Sequence, residues 1–189
     1  MRKLKLQVQT SVNGFIAGPK GEMDWMVWDW DDRLKDYVSA LTEPVDCILL
    51  GRKLAEGFVP AWEGRLEDPE EGAFAHKMID TPKVVFSRTL SASPWANTTL
   101  ARGELANEVT RLKSAPGGDL IAYGGGTFVS ELIQHGLIDE YHLFVNPTAL
   151  DEGMPIFRHG KVPLVLVQAK PFECGIVVLT YAPSSGASP

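Results

Sequence analysis

A three-layer α/β sandwich on a mixed, mostly parallel sheet, with antiparallel strands at its C-terminal end, is the fold this chain predicts. Three observations predict it. Segments of strand character alternate with segments of helical periodicity along the 189 residues, the pattern that places helices on both faces of a parallel sheet. Several strand segments, Val45–Leu50 foremost, are apolar on consecutive positions, as strands covered on both faces are. The last two strand segments, 163–170 and 175–181, follow each other without a helix between them, which reads as an antiparallel pair.

The elements follow in order. Residues 3–10 alternate Leu4, Leu6 and Val8 against Lys3, Lys5, Gln7 and Gln9, a strand with one wetter face. Ser11-Val12-Asn13-Gly14 turns the chain into a short extended piece, Phe15–Ala17, and Gly18-Pro19-Lys20-Gly21 is a loop. Trp25, Trp28 and Trp30 follow among acids. Asp31 or Asp32 caps a helix to about Leu41, whose Leu34, Tyr37, Val38 and Leu41 recur on one face. After Val45–Leu50, Gly51-Arg52-Lys53 starts a second helix. Residues 60–82, with Pro60, Pro69, Pro82 and the acids Glu63, Glu67, Asp68, Glu70 and Glu71, read as a solvated excursion holding one helical turn near 73–78. Lys83–Ser87 and Thr98–Ala101 are strands and Glu104–Ser114 a helix. Asp119–Tyr123 is a strand, Thr127–His135 a helix and Glu140–Asn146 a strand. One domain over 1–181 is expected, with 182–189 a flexible tail.

Composition narrows the function classes. The chain is 44% hydrophobic and 22% charged, with a net charge of −6, which argues against a broad basic face for nucleic acid. No run approaches the ~20 apolar residues of a membrane span, and the N-terminus has no apolar signal core. A cytoplasmic protein without membrane or nucleic-acid partners is expected. Cys47 and Cys174 sit in apolar runs and read as buried thiols. His76, His135, His142 and His159 have no ligand spacing, so no metal site is expected.

The most informative segment is Ile121-Ala122-Tyr123-Gly124-Gly125-Gly126-Thr127-Phe128. A strand runs into three glycines and then a helix. Glycines there let a ligand approach the backbone, and the free amides and dipole of the helix start favour an anion such as a phosphate. It is not the Gly-x-Gly-x-x-Gly pattern, because Phe128 and Val129 stand where the last glycine belongs, and it lacks a P-loop lysine. A tight turn with no ligand is the competing reading. Two more strand ends carry cations, Gly51-Arg52-Lys53 and Ser87-Arg88-Thr89. If these strands are parallel, all three turns share the edge where open α/β sheets bind ligands. Guanidinium forks there suit a dinucleotide with an additional phosphate. Solvated surface arginines are the alternative.

In the order and spacing of these segments, residues 3–181 resemble the dihydrofolate-reductase-like superfamily. Within it they most resemble the reductase domain of the riboflavin-biosynthesis deaminase/reductase, in standalone form. The resemblance implies a dihydrofolate-reductase-like fold, a homodimer and an NADPH-dependent oxidoreductase. Gln9 and Ile16 would flank the nicotinamide. Gly51, Arg52 and Lys53 would lie by the phosphates, Ser87 and Arg88 at the adenosine 2′-phosphate, and Gly125, Gly126, Thr127 and Phe128 at the pyrophosphate. Such domains often have a cis peptide between two of these glycines. Ser11, Glu56 and Tyr123 would orient substrate or relay a proton. Tyr123 replaces a glutamate usual in the riboflavin reductases, Asn13 an aspartate and Leu54 a threonine, and Asp151-Glu152-Gly153 a Gly-x-Gly turn.

The substrate implied is a pyrimidine, 5-amino-6-(5-phosphoribosylamino)uracil. A pterin or dihydrofolate is the second choice, and a catalytically silent NADP-binding module the third. Tryptophans 25, 28 and 30 could form a stacking wall or pack the core. The late strands and the loop Asp151–His159, with Met154, Ile156 and Phe157, are the expected dimer contact.

Overall fold

The computed structural model describes residues 1–184. Strands β1 (Leu4–Thr10), β3 (Val45–Gly51), β4 (Lys83–Phe86), β5 (Thr98–Ala101), β6 (Asp119–Ala122), β7 (Glu140–Val145), β9 (Leu164–Pro171) and β10 (Val177–Pro183) form one sheet. Their order is β5-β4-β3-β6-β1-β7-β10-β9. The first six run parallel, and β10 pairs antiparallel to both β7 and β9. The mixed, mostly parallel sheet of the sequence reading is therefore the sheet of the molecule. A two-stranded ribbon, β2 (Phe15–Ala17) with β8 (Met154–Pro155), lies apart from it.

Helices α4 (Leu105–Ser114) and α5 (Gly126–Gln134) cover one face and α1 (Asp32–Thr42), α2 (Arg52–Glu63) and α3 (Gly72–Asp80) the other. The alternation in β1 explains its burial. Leu4, Leu6 and Val8 join Leu120, Val129, Leu132 and Tyr141 in the α4/α5 core. The apolar run of β3 divides between faces, with Leu49 towards α4/α5 and Ile48 and Leu50 towards α2/α3. Asp31 is the N-cap of α1, its carboxylate accepting from Leu34 N at 3.0 Å.

The excursion expected over 60–82 is instead mostly helix. Helix α2 carries Pro60 through to Glu63, and α3 has nine residues. An interior proline costs about 3 kcal/mol in a helix. Aromatic packing offsets that cost. Phe58 stacks on Tyr123 at 5.3 Å, and Trp62 meets Phe74 of α3 edge-on at 5.3 Å. Strand β10 continues through Ala182 and Pro183, two residues expected in the tail. The rest of the expected tail, 185–189, lies outside the described residues. Cys47 is buried and Cys174 half-buried, both as free thiols. Among the described residues no helix is long and apolar enough to cross a membrane.

Candidate functional site

Strands β4, β3 and β6 are consecutive neighbours in the sheet and parallel, with Gly51 opposite Phe86 and Leu49 opposite Ala122. Their carboxyl ends emerge on one edge, about 4.8 Å from strand to strand. Ser87-Arg88, Arg52-Lys53 and Gly124-Gly125-Gly126 therefore sit side by side. Strand β5 adds Arg102 beyond β4, because Phe86 pairs with Ala101.

The glycine turn is built from backbone that side chains resist. Gly124 and Gly125 take φ of 127° and 83°, the left-handed half of the map where a Cβ clashes. Every peptide bond among the described residues is trans, so the cis peptide expected from the resemblance is replaced by this pair of left-handed residues. Gly125 is the N-cap of α5 and offers no side chain to its first amides. The next intrahelical bond runs from Val129 N to Gly125 O. The amides of Gly126, Thr127 and Phe128 thus remain as orphan donors at the positive end of the helix. Gly51 lacks a Cβ for a packing reason: one there would lie 2.9 Å from the Phe128 Cβ. Phe128 also meets Phe86 at 5.1 Å, so aromatic contact locks α5 against the ends of β3 and β4.

The cations of this edge differ in what holds them. Arg52 forms an ion pair with Glu56 one turn along α2, at 2.5 Å. Lys53 and Arg88 are exposed, and among the described residues neither has a carboxylate partner. Ser87 is buried, and its hydroxyl accepts from Thr89 N at 3.2 Å and Leu90 N at 3.1 Å. That shapes the turn that presents Arg88, with Thr89 Oγ1 3.5 Å from the same hydroxyl. Arg102 donates to the carbonyls of Leu90 and Ser91 and fixes the far side of the same turn. Sequence reading missed Arg102 because nothing local links it to the turn after β4.

Two expected catalytic groups are corrected. Ser11 is 1% exposed; its hydroxyl donates to Asn13 Oδ1 at 2.9 Å and accepts from Phe15 N at 3.0 Å. It builds the turn between β1 and β2, with no lone proton left for a substrate. Tyr123 points its hydroxyl into the α2/α3 core, onto Met78 Sδ at 3.5 Å. Burial raises its pKa far above the ordinary phenol value. Glu56 remains at the rim, exposed and paired with Arg52.

Gln9, at the end of β1, accepts from Asn146 Nδ2 at 2.7 Å. Asn146 is fully buried, and its Oδ1 accepts from Val27 N at 2.8 Å, pinning the tryptophan loop to the sheet edge. An asparagine ending a strand gave no local signal of this. Trp30 packs against Phe144 at 6.1 Å in the α1 core, while Trp28 is 60% exposed. Trp25 is half-exposed, its Nε1 donating to Glu22 O at 3.1 Å, so only Trp30 leaves the expected stacking wall for the core.

Ile16, on the β2–β8 ribbon, reaches the start of α5: its Cδ1 lies 3.8 Å from where a Gly126 Cβ would be. The loop after the ribbon brings Arg158 to the same glycine, its Nη2 2.8 Å from that point. Met154 and Ile156 of the expected dimer loop are used within the protomer, Met154 pairing with Ala17 and Ile156 fully buried. A depression of about 500 Å³ lies at the opposite edge, beside Arg2, Pro44 and Gly118. There Arg2 is already paired with Asp46, so volume alone does not mark the site.

The RibD C-terminal domain family matches residues 2–178. The chain belongs to that family. Three relatives illustrate the likeness. The YyaP protein of Bacillus subtilis strain 168 is 32% identical over 186 residues, 95% of this chain and 94% of its own. A protein of Shewanella sp. PV-4 superposes with a TM-score of 0.72 at 22% identity, over 97% of this chain and 99% of that one. The diaminohydroxyphosphoribosylaminopyrimidine deaminase/5-amino-6-(5-phosphoribosylamino)uracil reductase of Thermotoga maritima superposes with a TM-score of 0.69 at 17% identity. The alignment covers 97% of this chain and 57% of the Thermotoga protein. The chain thus shares its fold with these Shewanella and Thermotoga proteins.

Proposed function

We propose that the chain is a cytoplasmic NADPH-dependent reductase acting on a polar, ring-containing substrate of pyrimidine type. One observation carries the reading. In a chain of the RibD C-terminal domain family, three neighbouring parallel strands end in Arg52, Ser87-Arg88 and the Gly124–Gly126 seat on one edge. The donor set suits a phosphorylated dinucleotide. Orphan amides at α5 match a diphosphate, and an unpaired arginine beside a hydroxyl matches a 2′-phosphate. A side chain at Gly124 or Gly125 would meet no atom closer than 3.7 Å, so those positions are glycine for backbone shape and for access.

When bound, NADPH supplies the hydride. The residues of this chain would do the rest. Gly125, Gly126, Thr127 and Phe128 hold the diphosphate through their amides, Ser87 and Arg88 hold the 2′-phosphate, and Gly51, Arg52 and Lys53 border them. Gln9 and Ile16 bound the nicotinamide end. Trp28 offers an exposed ring for stacking a flat substrate. With Ser11 and Tyr123 engaged elsewhere, Glu56, paired with Arg52, is the carboxylate at the rim.

5-Amino-6-(5-phosphoribosylamino)uracil is the first substrate we propose. The pterin reading would need a buried acid on α1 to protonate the ring. Asp32 and Asp36 are exposed, and Asp31 caps the helix and accepts from Cys174 N at 3.0 Å. That favours the pyrimidine. A homodimer is proposed as well, through the exposed Val165, Leu166 and Val167 of edge strand β9.

Titration of the pure protein with NADPH, read by tryptophan fluorescence, tests the reading. Saturable quenching followed by coenzyme oxidation on the pyrimidine supports it. Quenching without turnover on pyrimidines or pterins would leave a silent binding module. An absence of NADPH binding would sink the proposal.

A further inference from the structure

We infer that Arg158 is a diphosphate-binding residue of this edge, carried there by the β2–β8 ribbon. The inference rests on the coenzyme reading above and adds a residue from a segment that no turn of the parallel strands supplies.

The guanidinium is exposed and tethered at one end. Its Nε donates to Pro155 O at 2.9 Å, tying the arm to the end of β8. Its Nη2 lies over Gly126, the first residue of α5, 2.8 Å from where a Cβ would stand. Any side chain at Gly126 would displace the arginine. Among the described residues Arg158 has no carboxylate within ion-pair distance. Arg52, by contrast, has its own charge balanced by Glu56.

The sign of this contact is the informative part. A helix start carries positive partial charge and prefers an acid, while a cation belongs at the other end. Here a guanidinium faces the uncapped start of a nine-residue helix, whose N-cap is a glycine with no acceptor of its own. Two positive groups face each other with nothing negative between them. An anion with several oxygens resolves that opposition, accepting from the α5 amides on one side and from the guanidinium fork on the other. A diphosphate has the oxygens to reach both. The ribbon adds to this, since Ile16 of β2 contacts the same glycine position. One ribbon therefore bears the apolar wall for the nicotinamide end and the cation for the adjoining diphosphate.

The test compares wild type, Arg158→Ala and Arg158→Lys. Each is titrated with NADPH, NADH and inorganic pyrophosphate by tryptophan fluorescence, and its urea unfolding is followed without ligand. Arg158→Ala should weaken NADPH and NADH by the same factor, about 10- to 100-fold for a lost charge-assisted contact, and weaken pyrophosphate too. Arg158→Lys should fall between. Unfolding of the ligand-free Ala variant should come at the same or higher urea concentration, because a repulsion has been removed. Three results overturn the inference: affinities within twofold of wild type, a loss confined to NADPH, or earlier unfolding with unchanged affinity. If Arg88→Ala still loses NADPH while Arg158→Ala does not, Arg158 is dismissed and the coenzyme reading stands. If wild type binds neither coenzyme, both fall.

Discussion

The two edges of the parallel strands treat positive charge in opposite ways. At the amino edge most cations have an acid, although Lys83 at the start of β4 donates instead to the carbonyls of Ile79 and Thr81. Arg2 pairs with Asp46, Lys3 with Glu140 at 2.6 Å, Lys5 with Asp119 at 2.9 Å and Lys113 with Asp139 at 2.6 Å. At the carboxyl edge Arg88, Arg102 and Arg158 have none among the described residues, and Arg52 alone has Glu56. Charges that hold a fold together are matched within the chain, and charges kept for a ligand are left for it to match. On the proposed reading, the amino edge stabilises the fold and the carboxyl edge is left for a ligand.

The strongest way to break this contrast is Asp119→Ala. Lys5 is 9% exposed at its side chain, and its other partner is the Leu41 carbonyl at 3.2 Å. Removing its acid leaves a buried ammonium short of a counter-charge. A loss of about 3 kcal/mol is expected in urea unfolding, at the low end for a broken buried pair because Asp119 is partly solvated. Coenzyme affinity of the folded variant should not change. A loss of affinity with no loss of stability would reverse the assignment of the two edges.

Gly51→Ala comes next. The added methyl meets the Phe128 Cβ, an atom close to the α5 backbone that cannot swing aside. Overpacking should cost about 1–3 kcal/mol, and the shift of α5 should lower affinity for NADPH and NADH alike. Equal stability by calorimetry would show that α5 is not locked to β3.

Arg88→Ala sharpens the contrast from the binding side. NADPH affinity should fall at least about tenfold, as for a lost hydrogen bond to a charged group, with much less effect on NADH. Stability should stay within about 0.5 kcal/mol, as for a surface substitution. Equal losses for the two coenzymes would remove Arg88 from the 2′-phosphate.

The smallest effect expected is a pH dependence in the amino half of the sheet. His142 is buried between Tyr37, at 2.9 Å from Nδ1, and Glu140, at 3.4 Å from Nε2. Its pKa lies below the usual 6.5, chiefly through burial and with a lesser push from Lys5, against the opposite pull of Glu140. Unfolded chains then bind the proton more tightly than folded ones. This contribution to stability is complete above pH 6.5 and is lost as pH falls through the folded value. His142→Gln should flatten the stability profile just below pH 6.5, with little change above it. An unchanged slope would mean that His142 charges freely in the fold.

Local patterns carried much of this molecule. Alternation placed β1, continuous apolar runs placed β3, and Asp31 announced α1. The glycine turn could be read because left-handed backbone at Gly124 and Gly125 is a local demand on residue type. The stretch 60–82 was misread because prolines and acids signal loops, whereas Trp62 against Phe74 is a contact between two helices. Tyr123 was misread for a related reason: strand position does not say which hydroxyl faces solvent.

Outside 60–82, the sequence alone determined most of the strands and helices, and that three of their turns hold glycines or cations. These are properties of neighbouring residues. Only the tertiary structure decided that β3 lies between β4 and β6, that Lys5 finds Asp119, and that Arg158 reaches Gly126. Electrostatic matching acts through space between residues far apart in the chain, so which charges were neutralised and which were left open became visible only once the strands had been ordered.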